Sequence, residues 1–214
     1  MKILILLDGE KPGISFLQSQ KYDKLFCADG AGNYLFANGV TPDVLMGDMD
    51  SIDKQVLEYY EENNVSILRA KREKDETDGQ LLVDRALEAM PEEIIIMGGL
   101  GGRLDHTLGN LQLLLRCERQ GVLASCLSEQ EEVRISTGKV VLLGDGGDLV
   151  SVIPMMPDTV LTTKGMKYEV RGLLLPQDTP IGVSNEMTRE MSEVIIESGA
   201  AAILHNKNSF ARKL

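Results

Sequence analysis

Short runs rich in Val, Ile and Leu alternate with longer segments of helical period along the first part of the chain. The runs are residues 3–7, 25–28, 44–46, 65–68, 94–97 and 122–127. Between them Val56, Leu57 and Tyr60 fall at helical spacing, then Leu82, Ala86 and Met90, then Leu104, Leu108, Leu111 and Leu115, with Gly121 placed to stop the last helix. Strand and helix in alternation predict βαβ units around a parallel sheet. Beyond about residue 130 the rhythm changes to short β-type runs, residues 140–143, 149–153, 160–163, 167–170, 173–175 and 201–205, punctuated by Gly and Pro with no long amphipathic helix between them. The expected fold is therefore α/β: an N-terminal parallel-sheet nucleotide-binding domain over residues 1–130, then an all-β sandwich or partly closed barrel over 131–214.

The pattern also places acidic residues just past several strand ends. Asp8 follows the first run, Asp29 the second, and Asp48 and Asp50 the third. In an open parallel sheet the crevice beyond the carboxyl ends of the strands is where ligands bind, so these side chains should converge. Crowded carboxylates raise one another's pKa unless a cation compensates, which points to Mg²⁺. In GDMDS, residues 47–51, Ser51 is expected to cap the helix that follows. In KDETD, residues 74–78, Thr77 and Gln80 have capping-box spacing, which puts Asp78 in the first helical turn, and Lys74 stands by as a phosphate partner.

GGLGGRLDH, residues 98–106, comes directly after an apolar strand. Its four glycines let the backbone approach a ligand closely, and the helix that follows aims unpaired N–H groups at the same place. On that helix Arg103, His106 and Asn110 share one face, and Leu104, Leu108, Leu111 and Leu115 another. No Walker-type lysine follows the glycines, and no acidic residue closes a strand about 20 residues later, so neither a P-loop nor a dinucleotide fingerprint is present. His205 reads as structural.

Charge narrows the ligand classes. A net charge of −11 and a pI near 4.7 exclude the positive footprint of a nucleic-acid binder, so an anionic substrate must arrive with a metal or meet a local cluster of donors. Cys27, Cys117 and Cys126 are widely spaced in apolar stretches and read as reduced core residues. The first apolar run ends at Asp8, too short for a signal peptide, and no run of about 18 apolar residues follows; a cytoplasmic protein without membrane attachment is expected.

In order, ADGA (28–31), PDVLMGDMDS (42–51), KDETD (74–78), GGLGGRLDHTLGN (98–110) and VSNE (183–186) resemble the thiamine pyrophosphokinases, bacterial type. The resemblance implies an ATP-dependent diphosphotransferase that forms thiamine diphosphate and AMP, with Mg²⁺, in a homodimer whose active site is shared between subunits. It implies that Asp29, Asp48, Asp50 and Asp78 handle Mg²⁺ and phosphates; Asp48, Asp50 and Asp78 are expected as the metal-binding and catalytic carboxylates, with the general base among them. It places Arg103 and Asp105 at the nucleotide, where Asp29, Gly30, Lys74, Thr77, His106 and Asn110 are expected as well, and Ser184 and Asn185 at thiamine. Tyr168 falls where some relatives carry a tryptophan that packs on thiamine, and Ala31 replaces the second glycine of the usual ADGG. Transfer to another hydroxymethyl heterocycle, such as a pterin, would keep every N-terminal motif, and a non-catalytic thiamine or nucleotide sensor is the alternative of a different class.

Overall fold

The computed structural model describes residues 1–71 and 75–207, so Lys74 lies outside the described residues. The chain divides into Met1–Ser128 and Glu129–Leu214. In the first unit β1 (Lys2–Leu6), α1 (Ile14–Ser19), β2 (Lys24–Ala28), α2 (Asp29–Ala37), β3 (Val44–Gly47), α3 (Lys54–Glu62), β4 (Ser66–Arg69), α4 (Asp78–Glu88), β5 (Glu93–Met97), α5 (Leu104–Arg119) and β6 (Leu123–Leu127) follow in order. The strands pair in parallel as β6-β5-β1-β2-β3-β4. Ile3 to Leu6 on β1 and Ile94, Ile96 and Met97 on β5 are fully buried, as expected of unbroken apolar strands covered on both faces.

That order reverses direction at β1. Strands β2 to β4 extend to one side of it and β5 and β6 to the other, so the switch point lies between the carboxyl ends of β1 and β5. The backbones cross closely there. The Leu7 N–H donates to the Met97 carbonyl at 2.8 Å. Gly98 has φ +71°, and a Cβ on it would lie 2.5 Å from the Leu7 carbonyl oxygen, so only glycine fits.

Several local expectations are corrected. α3 is N-capped by Asp53, without a side-chain hydrogen bond, rather than by Ser51, because the chain makes one more turn after Asp50. The buried residues of α5 are Asn110, Leu113, Leu114 and Cys117. Leu104 and Leu108 are exposed, on a face of the helix apart from the one that carries Asp105, His106, Gly109 and Asn110 to the crevice. The helices α1 and α2 were not anticipated. All three cysteines are free thiols buried in this unit, and burial pushes Cys117 up to about 11, Cys126 up to about 12, and Cys27 upward as well.

The second unit contains β7 (Glu131–Ser136), β8 (Lys139–Leu143), β9 (Leu149–Pro154), β10 (Val160–Lys164), β11 (Leu173–Leu174), β12 (Asn185–Glu186), β13 (Met191–Ser198) and β14 (Ala201–Asn206). They pair antiparallel, in the orders β12-β9-β14-β7 and β11-β10-β13-β8. Alternate residues point inward, Val150 and Val152 from one layer and Val194 and Ile196 from the other, and meet Leu161, Met187 and Ile203 in one core. His205 Nε2 lies 3.1 Å from Asp148 Oδ2, both side chains buried, which ties β14 to the turn before β9. The strand expected at residues 167–170 is a loop. Only Met166 forms a bridge, to Met187, because the Asn185 side chain takes both backbone groups of Tyr168: its Oδ1 accepts from the N–H at 3.1 Å and its Nδ2 donates to the carbonyl at 2.8 Å.

Candidate active site

Strand β2 delivers Asp29 and the turn after β3 delivers Asp48 and Asp50. Carboxylate oxygens from the three lie within 4.8 Å of one another. Asp29 is buried, at 4% exposure, and accepts hydrogen bonds from the N–H groups of Gly30 at 2.8 Å and Met49 at 3.0 Å. Gly47 makes room for it, since a Cβ there would lie 2.6 Å from the Asp29 carboxyl carbon. Met49 sits at φ +66°, an uncommon conformation for a side chain this long, and so turns its N–H onto Asp29.

The turn is braced from outside. The Asp50 N–H donates to Asp48 Oδ1 at 3.1 Å, and the Ser51 hydroxyl to Asp50 Oδ1 at 3.0 Å. Asn33 on α2 holds the far end, donating to the Ser51 carbonyl and accepting from the Asp53 N–H. Burial raises the pKa of Asp29, and the charge of Asp78 adds to the rise against the lowering by its backbone donors. Three carboxylates packed this closely, one of them buried, suit a hard divalent cation with oxygen ligands.

Beside this cluster lies a cavity of about 770 Å³ at the switch point, lined by both Asp29 and Asp78. Thr77 caps α4, its Oγ1 accepting from the Gln80 N–H at 3.1 Å, and so sets Asp78 in the first turn facing the cavity. Gly98, Gly99, Gly101 and Gly102 form its opposite wall. Asn110, buried on α5, donates to the Gly99 carbonyl at 2.8 Å and fixes that loop.

Thr77, Arg103, Asp105, His106 and Asn110 all border the same cavity. Arg103 is the N-cap residue of α5 and grips Asp105 side-on, Nη2 to Oδ2 at 2.6 Å and Nε to Oδ1 at 3.1 Å. The guanidinium holds the Asp105 carboxyl below the usual carboxylate range. Gly30 opens α2, tight against the carboxylate of Asp8. Asp8 also lines the cavity; its place after the first strand hinted at this, but no motif singled it out.

Tyr168, Ser184 and Asn185 belong to the β unit. Tyr168 is 66% exposed and its backbone is clamped by Asn185. Ser184 has φ +59° and its N–H donates to Ser151 Oγ at 3.0 Å, so it presents its side chain from a fixed turn, while the Asn185 amide is engaged with the Tyr168 backbone.

With this geometry in place, comparison with known proteins adds two family matches. Residues 17–125 match the catalytic domain of thiamin pyrophosphokinase, and residues 139–203 its vitamin B1 binding domain. The chain is 32% identical over 152 residues to the thiamine pyrophosphokinase of Bacillus subtilis, covering 70% of this chain and 71% of that protein. It is 29% identical over 218 residues to thiamin pyrophosphokinase 1 of Caenorhabditis elegans, covering 94% and 87%. The crystal structure of thiamine pyrophosphokinase from Bacillus subtilis superposes with a TM-score of 0.86 at 25% identity, covering 97% of this chain and 99% of that one.

Proposed function

This chain belongs to the thiamine pyrophosphokinase family, and from that premise we propose that Asp29, Asp48 and Asp50 hold the Mg²⁺ of an ATP-dependent diphosphate transfer to thiamine. The family's co-substrate is ATP, and the match of the β unit to a vitamin B1 binding domain favours thiamine over another hydroxymethyl heterocycle. The observation that carries the assignment is the gathering of three carboxylates beside a glycine-walled cavity at the switch point of a parallel sheet. When bound, Mg²⁺ neutralises the charge that develops on the phosphates as AMP leaves.

The protein's own groups supply position and field. The loop Gly98 to Gly102 lets backbone N–H groups approach the phosphates, and the N-terminal turns of α4 and α5 face the same space. Arg103 meets phosphate in forked geometry, with Asp105 holding the fork in place until it does. Asn110 keeps the loop in register, while His106 and Thr77 complete the nucleotide wall. The thiamine hydroxyl gives its proton to a carboxylate among Asp48, Asp50 and Asp78. Tyr168 offers a flat surface to the thiamine rings, and Ser184 and Asn185 orient them, in a homodimer whose site draws on both subunits.

Product analysis tests the reading. With ATP, Mg²⁺ and a panel of alcohols, AMP and thiamine diphosphate should form together, and only with thiamine. Asp50→Asn or Asp78→Asn should lower turnover by at least ~100-fold with the fold intact. Absence of AMP, or wild-type turnover in both variants, would sink the assignment.

A further inference from the structure

Beyond the diphosphate transfer assigned above, which uses phosphate groups only on the α/β unit, we propose that the β unit carries a second anion site that takes a phosphate-bearing small molecule between Arg171 and Arg189.

The site is a cavity of about 460 Å³ at the end of β10, lined by Thr163, Lys164, Glu169, Val170, Arg171 and Arg189. Its other charged groups are held by neighbours. Lys164 Nζ lies 3.1 Å from Glu193 Oε2, and Glu193 is shared with Lys139. The Glu169 carboxylate accepts from the Gly165 N–H at 2.6 Å. Among the described residues, no hydrogen bond or ion pair holds either guanidinium. In a chain of net charge −11, two unmatched arginines from different loops face one cavity.

The frame beneath them is rigid. Gly165 has φ +75°, and a Cβ there would fall 2.6 Å from Arg189 Nε, so glycine lets the guanidinium lie against the backbone. The Gly165 carbonyl accepts from the Thr188 N–H at 2.9 Å, the Thr188 hydroxyl at 3.0 Å and the Ser192 hydroxyl at 2.8 Å, which locks the loop carrying Arg189 to the end of β10.

The ligand class follows from the donors. A planar carboxylate is satisfied by one guanidinium fork, whereas two forks from separate directions suit a tetrahedral oxyanion with several acceptor faces.

Amide spectra of the full chain, free of metal, titrated with inorganic phosphate and separately with inorganic diphosphate, test the site. Saturable shifts are expected at residues 163–171 and 187–190 with at least one of the two anions. Arg171→Gln and Arg189→Gln should each weaken that response about tenfold while leaving shifts at Gly98 and Gly99 as in wild type. Both side chains are exposed, so melting midpoints should stay unchanged; should one fall, Arg171→Lys or Arg189→Lys, which keeps charge and stem, replaces it and should lose less. No saturable shift at these amides with either anion at about 10 mM, where even millimolar binding shows, overturns the proposal. So does a response that both Gln variants keep in full.

Discussion

Asp29 carries opposite demands. Its carboxyl titrates above its ordinary value because burial disfavours the charge. A raised folded value means that the ionised side chain costs stability: the fold is most favoured below the usual carboxylate range and loses that advantage as pH rises through the midpoint of Asp29. Between the usual carboxylate range and neutrality the melting midpoint of the metal-free protein should therefore fall as pH rises, and fall less in Asp29→Asn. Asparagine lacks the charge but keeps an oxygen for only one of the two donors, because Gly30 binds Oδ1 and Met49 binds Oδ2, so pH slopes and not midpoints are the quantity to compare. The same change should abolish the thermal shift that Mg²⁺ gives the wild type, by removing a ligand. Scanning calorimetry across pH, with and without Mg²⁺, reads both effects, and an unchanged pH slope in the metal-free variant would show that the charge is already compensated within the chain. Which carboxylates meet was only partly legible in the sequence. The strand-end pattern predicts that Asp8, Asp29, Asp48 and Asp50 converge, but that Asp29 joins Asp48 and Asp50 in one group depends on β2 and β3 lying side by side.

Among the elements, the β1–β5 crossing sets the position of the glycine wall. Gly98→Ala would combine a left-handed backbone with a Cβ 2.5 Å from the Leu7 carbonyl oxygen, and should lower the melting midpoint by several degrees, weakening ATP binding as the wall shifts. Gly102→Ala is the matched control: φ is +66° there but nothing lies within 4 Å of the added carbon, so it should cost clearly less. Equal losses in calorimetry would mean that backbone conformation alone is at issue. The parallel strands were readable because burial on both faces leaves unbroken apolar runs. The helix α2 was not, since it opens with Asp-Gly-Ala-Gly, a turn-like string stabilised by packing: the Tyr60 hydroxyl donates to the Gly32 carbonyl at 2.9 Å, and Leu45 and Ile52 side chains press on Gly32. Period alone does not identify the buried face of α5: Leu104 and Leu108 keep helical spacing yet are exposed, while Asn110, Leu113, Leu114 and Cys117 are buried. Residues 167–170 alternate like a strand, yet the Asn185 side chain takes the hydrogen bonds a neighbouring strand would have needed.

At the scale of the whole molecule, the residues proposed for nucleotide and metal fall in one unit and those proposed for thiamine in the other, which motivates the proposed shared homodimer site. Tyr168→Ala should raise the thiamine KM with little change for ATP, the signature of lost ground-state binding. Mixing it with Asp78→Asn chains should restore part of the activity, because one hybrid site per dimer would carry neither lesion. An unchanged thiamine KM would remove the stacking role, and no recovery after demonstrated subunit exchange would remove the shared site. The cysteines bear on the same division. All three thiols are interior to Met1–Ser128, and the sequence holds none beyond Cys126. Thiolate is scarce there at neutral pH, so a maleimide should label the chain only as fast as the α/β unit opens. Mass spectrometry over time then makes the thiols a clock for that unit alone, and nucleotide with Mg²⁺ should slow it in proportion to occupancy. Rapid labelling of the native protein would show that these interiors breathe without unfolding.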